Sequence, residues 1–272
     1  MKKIKFCPQL FFVIVLLASF FTACNNSDND DSAQTSRMMV RLVDAPGDYD
    51  EVNIDVQDVM IKASTDSGEE GWVSIVSDDF IPGTYNLLDL TGGVNLLLAD
   101  NVVPSGYLGQ IRLVLGENNT LVKGDDVINL NTPSAMQSGL KLEVNQTLQA
   151  GASYEFILDF DVAKSVVSAG GSGMYNLKPV IHVSATATSG VIKGVVSPVL
   201  EGYQVQVSIP VGDTTISTFA NETGMFQLNG VPAGTYTVTL TPDAASGKTA
   251  IMVADVVVEN GEITDIGSVS FE

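Results

Sequence analysis

The chain is poor in the residues that most often carry enzyme chemistry or bind transition metals. Its 272 residues include two cysteines and a single histidine, His182. One imidazole cannot build a zinc site of the usual Cys/His kind, and no G-x-S-x-G motif supplies a nucleophilic serine. We therefore expect no catalytic residue, regard the chain as a non-enzyme, and interpret His182 as an ordinary strand position.

Basic residues are also scarce. The sequence has 13 Lys and Arg against 32 Asp and Glu, a net charge of −19. Three of these lysines lie in the first five residues, and without them 10 basic residues face 32 acidic ones, a net charge of −22. Such a surface repels phosphate backbones, so we expect no nucleic-acid partner. Solubility outside the cell explains the acidity most simply.

The sequence has no hydrophobic run long enough for a transmembrane helix. Residues 10–21 are apolar apart from Ser19, a length that falls short of a hydrocarbon core of about 30 Å. With Lys2, Lys3 and Lys5 before it, this run predicts a cleaved signal peptide over residues 1–23.

The end of that segment, FTAC at residues 21–24, resembles a bacterial lipobox. The resemblance implies that Cys24 is acylated and becomes the lipid-bearing N-terminus, which would hold the chain at a membrane. The expected location is the bacterial cell envelope, as an outer-membrane lipoprotein. A generic secretory signal with an incidental cysteine is the alternative.

Residues 24–36 are predicted to form a flexible acidic tether. Between residues 25 and 36 no aliphatic residue is larger than Ala33, and an acidic cluster of Asp28, Asp30 and Asp31 follows the lipobox. Such a segment cannot bury apolar surface. The cluster looks like an export signal of surface-exposed lipoproteins, and it is equally typical of a plain spacer, so display at the surface and a periplasmic face both stay open. Cys7 leaves with the signal peptide, which excludes an intramolecular disulfide.

From residue 37 onward the pattern is typical of β-structure. Short alternating apolar runs are bounded by Gly, Asn, Asp and Pro, which predicts an all-β fold of two β-sandwich domains, residues 37–187 and 188–272. The alternation slips at Asp58, which indicates a β-bulge. Two short helices are predicted, at residues 94–99 and 161–168, and a strand at residues 72–76. Seven strands are predicted after residue 188.

The first of these domains resembles a known family. The segments that carry the likeness are VRLVDAPG (40–47), YDEVNI (49–54), LLDL (87–90), QIRL (110–113), GLKL (139–142), LDFD (158–161) and LKPVI (177–181). In this order they are similar to the bacterial domain of unknown function numbered 4382, over about residues 37–184. The family is typical of secreted or lipid-anchored bacterial proteins and has no established activity.

The second domain carries a separate resemblance. NETGMFQL (221–228) and VPAGTYTV (231–238) are similar to the carboxypeptidase regulatory-like module. The resemblance implies a seven-stranded transthyretin-like, or prealbumin-like, Greek-key sandwich. Relatives of that module are grouped with starch-binding domains, which suggests carbohydrate binding by analogy of fold alone.

Carboxylates at strand ends are the candidate ligands for a metal. Asp159 and Asp161 share a strand face beside a predicted turn, and Asp44 lies at the end of another strand. Oxygen-rich strand ends outside the cell can bind calcium, the one cofactor that we consider. The alternative is cap chemistry, in which Asp161 accepts N–H groups of the helix that follows. The same pair would also be the candidates in a carboxylate-dependent hydrolase.

Trp72, the only tryptophan, is the candidate for ligand contact. It shares a predicted face with Ser74 and Val76, so an exposed platform for stacking a sugar is one interpretation. A partly buried core position is the other, because large aromatic side chains usually fill cores.

Together these features predict a non-catalytic, lipid-anchored envelope protein that binds a glycan or another envelope or host protein and could serve adhesion. A fimbrial or matrix structural subunit is one alternative. A hydrolase that uses carboxylates alone is another.

Overall fold

A computed structural model describes residues 34–45, 47, 49–132, 139–170 and 173–271. Within these ranges the chain is almost entirely β-structure and forms a first lobe (residues 35–185) and a second lobe (residues 190–271), each with its own hydrophobic core. The strands of the first lobe are β1 (Thr35–Ala45), β2 (Glu51–Lys62), β3 (Val73–Ser74), β4 (Gly83–Asn86), β5 (Leu96–Pro104), β6 (Gly106–Leu115), β7 (Thr120–Lys123), β8 (Asp126–Asn131), β9 (Leu140–Leu148), β10 (Ser153–Asp161), β11 (Val166–Ser168), β12 (Tyr175–Leu177) and β13 (Ile181–Ala185).

The second lobe contains the remaining strands. They are β14 (Gly190–Val196), β15 (Val205–Val211), β16 (Thr214–Phe219), β17 (Met225–Val231), β18 (Gly234–Pro242), β19 (Ile251–Val258) and β20 (Ile263–Val269). Helical structure is limited in the described residues to the single-turn helix α1 (Val162–Ser165) and three 3₁₀ turns, Leu87–Asp89, Thr186–Thr188 and Ala244–Ser246. The predicted all-β fold with sandwich domains is confirmed.

The first lobe packs two sheets face to face. Sheet A has the order β13-β10-β1-β5, and sheet B has the order β11-β12-β8-β7-β2-β6-β9, with β3 and β4 also paired to β2. Alternating side chains of both sheets fill the core, and Leu42, Ile54 and Phe156 are completely buried there. Alternation places the intervening residues of each strand on the opposite face, so sheet A also has an outer face.

Strands β1 and β10 lie side by side in parallel, which determines where their C-terminal carboxylates lie. Val43 pairs with Asp159, Asp44 with Phe160, and Ala45 with Asp161. Phe160 is completely buried in the core. Asp44 therefore lies on the core face of sheet A, whereas Asp159 and Asp161 lie on its outer face.

The second lobe is the predicted seven-stranded sandwich. Sheet C has the order β17-β14-β20, and sheet D has the order β16-β15-β18-β19. Phe226 and Leu228 lie 1% exposed in its core. The turn before them is formed as the residue types predict: the Asn221 side chain accepts the N–H groups of Thr223 and Met225, and Gly224 adopts φ +79°, where a Cβ would lie 2.2 Å from a backbone carbonyl oxygen.

Several local predictions are settled by these elements. The β-bulge occurs as predicted, between Val56 and Asp58. The helix predicted at residues 94–99 is wrong, because Leu96–Pro104 is strand β5 and pairs with β1. A short apolar run fits a helix or a buried strand equally well by pattern alone, and the partner strand decides between them.

Three predicted element boundaries also differ from those in the structure. The helix at residues 161–168 is reduced to Val162–Ser165, after which Val166–Ser168 forms β11. The strand at residues 72–76 is reduced to Val73–Ser74. Strand β1 begins at Thr35, inside the predicted tether, because Ser36 is buried and donates a hydrogen bond to a backbone carbonyl across the sheet.

The predicted signal peptide, the acylated Cys24 and the tether up to residue 33 lie outside the described residues. The boundary between residues 187 and 188 falls in the 3₁₀ turn Thr186–Thr188 and stays a prediction. No helix in the described ranges combines the length and the apolar character needed to cross a bilayer.

Candidate functional site

The outer face of sheet A is partly covered by the second lobe, and the contact leaves two cavities. The lobes touch where Gly230 approaches Ser184, so closely that a Cβ on the glycine would lie 2.8 Å from the serine Cβ. One cavity, of about 230 Å³, extends toward Glu143, Gln146 and Pro232. The other, of about 250 Å³, contains the carboxylates of β10 and is called the acidic cleft below.

The acidic cleft has a floor from the first lobe and a roof from the second. The floor consists of Ala45, Asp159, Asp161, Lys164 and residues 182–184. The roof consists of residues 214–217 on β16 and residues 229–230 on β17. Hydroxyl, amide and carboxyl groups therefore converge on one concavity from four strands, which is the usual character of a site for a small polar ligand.

Asp161 is fully engaged within the protein. Its Oδ1 accepts the backbone N–H of Lys164 at 3.0 Å, as the N-cap of α1, and its Oδ2 forms an ion pair with Lys164 Nζ at 2.6 Å. The cap role that the sequence offered as an alternative to metal binding is thus observed in the structure.

Asp159 is in the opposite situation. Its Oδ1 is buried and has no hydrogen-bond partner, and the residue across the strand pair is His182, whose side chain is exposed. Burial, with a further contribution from the charge of Asp161, raises the pKa of Asp159 to about 7, although Lys164 opposes the rise. The Asp159 carboxyl can therefore gain or lose a proton near neutral pH.

Asp44 does not join these two carboxyls in the cleft. It is 5% exposed on the core face of sheet A, and neither carboxyl oxygen has a hydrogen-bond partner. Burial and the charge of Asp159 raise the pKa of Asp44 well above its usual range, while the nearby Val162 N–H partly offsets the rise without reaching hydrogen-bond geometry.

The three candidate calcium ligands are thus divided between two faces of one sheet. In the described ranges no group of three or more His, Cys, Asp or Glu side chains is arranged to hold a metal ion. Calcium binding stays a prediction without support from this geometry.

Trp72 lies away from the acidic cleft, on the outer side of sheet B. The Arg112 guanidinium lies 4.1 Å from the centroid of the indole ring, and Lys62 Nζ lies 5.7 Å from it. Glu69 forms ion pairs with Arg112 and Lys141, each at 2.6 Å. The half-buried tryptophan therefore helps to hold the loop between β2 and β3 against sheet B. Because the Arg112 guanidinium already covers one face of the ring, that face is not free to stack on a sugar.

Sequence reasoning identified Asp159 and Asp161 but missed the rest of the cleft. Lys164, His182 and Asn229 are scattered over residues 164–229, and no motif links them. Alternation with the core residues Phe226 and Leu228 places Asn229 on the outward face, so its burial gave no signal; it is 8% exposed and its Oδ1 accepts a hydrogen bond from the Gln227 side chain at 2.8 Å. Nothing in the sequence indicates that β16 and β17 pack over β10.

Solved structures offer only distant likeness. The Bacillus anthracis TIE protein is 14% identical over 88% of this chain and 34% of its own, with a TM-score of 0.23. A leucine-rich repeat protein from Bacteroides thetaiotaomicron is 13% identical over 87% of this chain and 26% of its own, with a TM-score of 0.20. This chain spans about a third and a quarter, respectively, of their lengths.

A third likeness is to the major pilin protein T-13 of Streptococcus pyogenes, 11% identical over 88% of this chain and 98% of the pilin, with a TM-score of 0.19. TM-scores this low indicate no common arrangement of the whole chain. No curated protein matches in sequence. The family is shown by a separate match over residues 35–179, more than half of the chain: the protein belongs to the family described as Domain of unknown function (DUF4382).

Proposed function

We propose that this chain is a lipid-anchored, non-catalytic binding protein of the bacterial cell envelope and that the acidic cleft holds its ligand, a glycan. The signal segment and the FTAC motif at residues 21–24 support the anchor. The strand count and turn chemistry of the second lobe suit the carboxypeptidase regulatory-like module that its sequence resembles. In this proposal the second lobe is the roof of the binding site as well as a structural module.

One observation carries the binding role: a concavity of about 250 Å³ presents hydroxyl, amide and carboxyl groups from both lobes and includes a buried carboxyl oxygen with no partner. Such a surface can bind a sugar because each sugar hydroxyl both donates and accepts hydrogen bonds. The other oxygen of Asp159 is accessible and also has no donor among the described residues, so a ligand hydroxyl in the cleft would give it a hydrogen bond.

The test is a glycan array probed with the full chain in detergent, compared with two bulky substitutions. Thr215 lines the roof of the cleft and is exposed, so Thr215→Trp should obstruct the cleft without disturbing a core. Val127, 70% exposed on sheet B, lines neither cavity, and Val127→Trp is the matched control. We expect Thr215→Trp to abolish glycan binding and Val127→Trp and Trp72→Ala to retain it. An array with no bound glycan would contradict the proposal.

The location is tested separately. Intact-mass measurement of the protein from its native host should show acyl chains at Cys24. Protease treatment of intact cells then decides between the surface and the periplasmic face, because only a surface-exposed chain is cleaved.

A structural subunit of a fimbria or matrix is the second candidate, favoured by the open sheet edges of the second lobe. Strand β19 ends sheet D and β20 ends sheet C, and Met252, Val257 and Ile263 on these strands are 71%, 55% and 60% exposed. An unpaired edge can accept a strand from another chain. Electron microscopy of native cells tests this candidate, which is rejected when no filament carries the chain.

A further inference from the structure

The charges of the acidic cleft all come from one lobe. Asp159, Asp161, Lys164 and His182 belong to the first lobe, whereas the roof contributes Thr214, Thr215, Ile216, Ser217, Asn229 and Gly230. Asp44 lies behind sheet A and adds no positive charge. The lining of the roof therefore provides no cation to balance the floor.

The lining contains one lysine and no arginine, and that lysine is already paired. Lys164 Nζ lies 2.6 Å from Asp161 Oδ2 and is 56% exposed, so it points to the rim beside its partner. His182 is exposed, and Asp159 Oδ1 has no hydrogen bond from it or from any other described group. Asp159 is thus a carboxyl that receives no hydrogen bond from the described groups, and the one lysine that acts on it, Lys164, is already paired with Asp161.

We propose that the acidic cleft selects glycans that carry a free, protonated amino group and places that ammonium group at Asp159, an inference that rests on the glycan-binding function proposed above. An ammonium at the accessible oxygen of Asp159 supplies a hydrogen-bond donor together with a positive charge, and a charge-assisted hydrogen bond is stronger than a neutral one. The hydroxyl and amide groups of the roof then face the ring hydroxyls of the sugar. A net charge of −19 also favours the approach of cations over anions.

The proton equilibrium of Asp159 supports the same ligand class. Because its pKa is about 7, the carboxyl is poised between its two forms at neutral pH, and a cation shifts it to the ionised form. A neutral sugar brings no such gain, and an N-acetylated amine has lost both its charge and its basicity.

The experiment is an NMR titration of the full chain in detergent micelles at pH 6.5 with glucosamine, N-acetylglucosamine and glucose. We expect glucosamine to bind about tenfold more tightly than the other two sugars, the ratio that one strong charge-assisted contact provides. Asp159→Asn retains the shape of the side chain and removes its charge, so it should abolish the preference for glucosamine over glucose. Asp125→Asn, in an exposed turn remote from the cleft, is the matched control and should retain the preference.

The possible outcomes distinguish selection for amino sugars from glycan binding itself. Equal binding of the three sugars by the unchanged chain overturns amine selection and leaves glycan binding standing. No binding of any sugar overturns both. Binding of the methylamide of N-acetyl-lysine, lost in Asp159→Asn, without binding of glucosamine would assign the cleft to lysine-bearing peptides and would also overturn the proposal.

Discussion

Asp159 should make the protein less stable as the pH rises from about 4 to about 7, and Asp159→Asn should remove that loss. In the folded chain the pKa of this carboxyl is raised from 3.8 to about 7, chiefly by burial. Between these two values the folded state holds a proton that the unfolded chain has released. Stability therefore falls as the pH increases from about 4 to 7 and levels off above that.

The magnitude follows from the shift. One pKa unit corresponds to about 1.4 kcal/mol, so a rise from 3.8 to about 7 amounts to about 4 kcal/mol of stability lost at pH 8 relative to pH 4. The charges that act on Asp159 are those of Asp161 on its own strand and Lys164 on α1. His182 on β13 also lines the cleft, Asp44 lies on the core face of the sheet, and the roof lining adds no titratable group. Asparagine has the shape of the protonated acid and no charge to lose.

The assay is urea unfolding of the wild type and Asp159→Asn at pH 4.5 and pH 8.0 in the same detergent. We expect the two curves to lie close together at pH 4.5 and the variant to be more stable by up to about 4 kcal/mol at pH 8.0. Asp100→Asn is the control of opposite sign: Arg37 lowers the pKa of Asp100, so both assay pH values lie above it and the substitution should reduce stability at both. A variant that is equally or less stable than the wild type at pH 8.0 would refute the reasoning.

Three further predictions concern other parts of the molecule. Phe226→Ala should destabilise the second lobe by about 3–5 kcal/mol in urea unfolding, because the ring is 1% exposed in that core; a cost below about 1 kcal/mol would contradict the packing. Arg112→Ala removes the cation over Trp72 and its ion pair with Glu69, so the emission of the sole tryptophan should shift to longer wavelength; unchanged emission would show that the loop does not depend on this contact. Cys24→Ser should leave the protein without acyl mass and outside the membrane fraction, and membrane association in that variant would contradict the lipid anchor.

The sequence predicts local features of this fold well and pairings between distant strands poorly. Alternation located all seven strands of the second lobe and the bulge before Asp58, because the two-residue period of a strand is visible directly in the sequence. The same rule failed for residues 94–99, where a short apolar run reads equally as a helix, and pairing with β1 makes it a strand. No local pattern carries that information.

For the candidate site too, the sequence predicts local features but not contacts between distant segments. That Asp159 and Asp161 share a face follows from their spacing alone. That Asp44 lies on the other face requires the parallel register of β1 and β10, and that Asn229 lies opposite the carboxyls requires the second lobe to pack on sheet A. Both depend on contacts between residues far apart in the chain, so the sequence pattern could identify the carboxyls but could not predict which other residues surround them.

The same two carboxyls suggest hydrolysis, and their hydrogen bonds argue against it. A glycosidase needs one carboxyl to donate a proton and a second that is free to act as base or nucleophile. Asp159 has the raised pKa of a proton donor, but both oxygens of Asp161 are engaged by Lys164, one by its backbone N–H and one by its ammonium. We therefore expect no new reducing ends when the full chain is incubated with oligomers of glucosamine. Reducing ends that form with the wild type and disappear in both Asp159→Asn and Asp161→Ala would show that the cleft is catalytic after all.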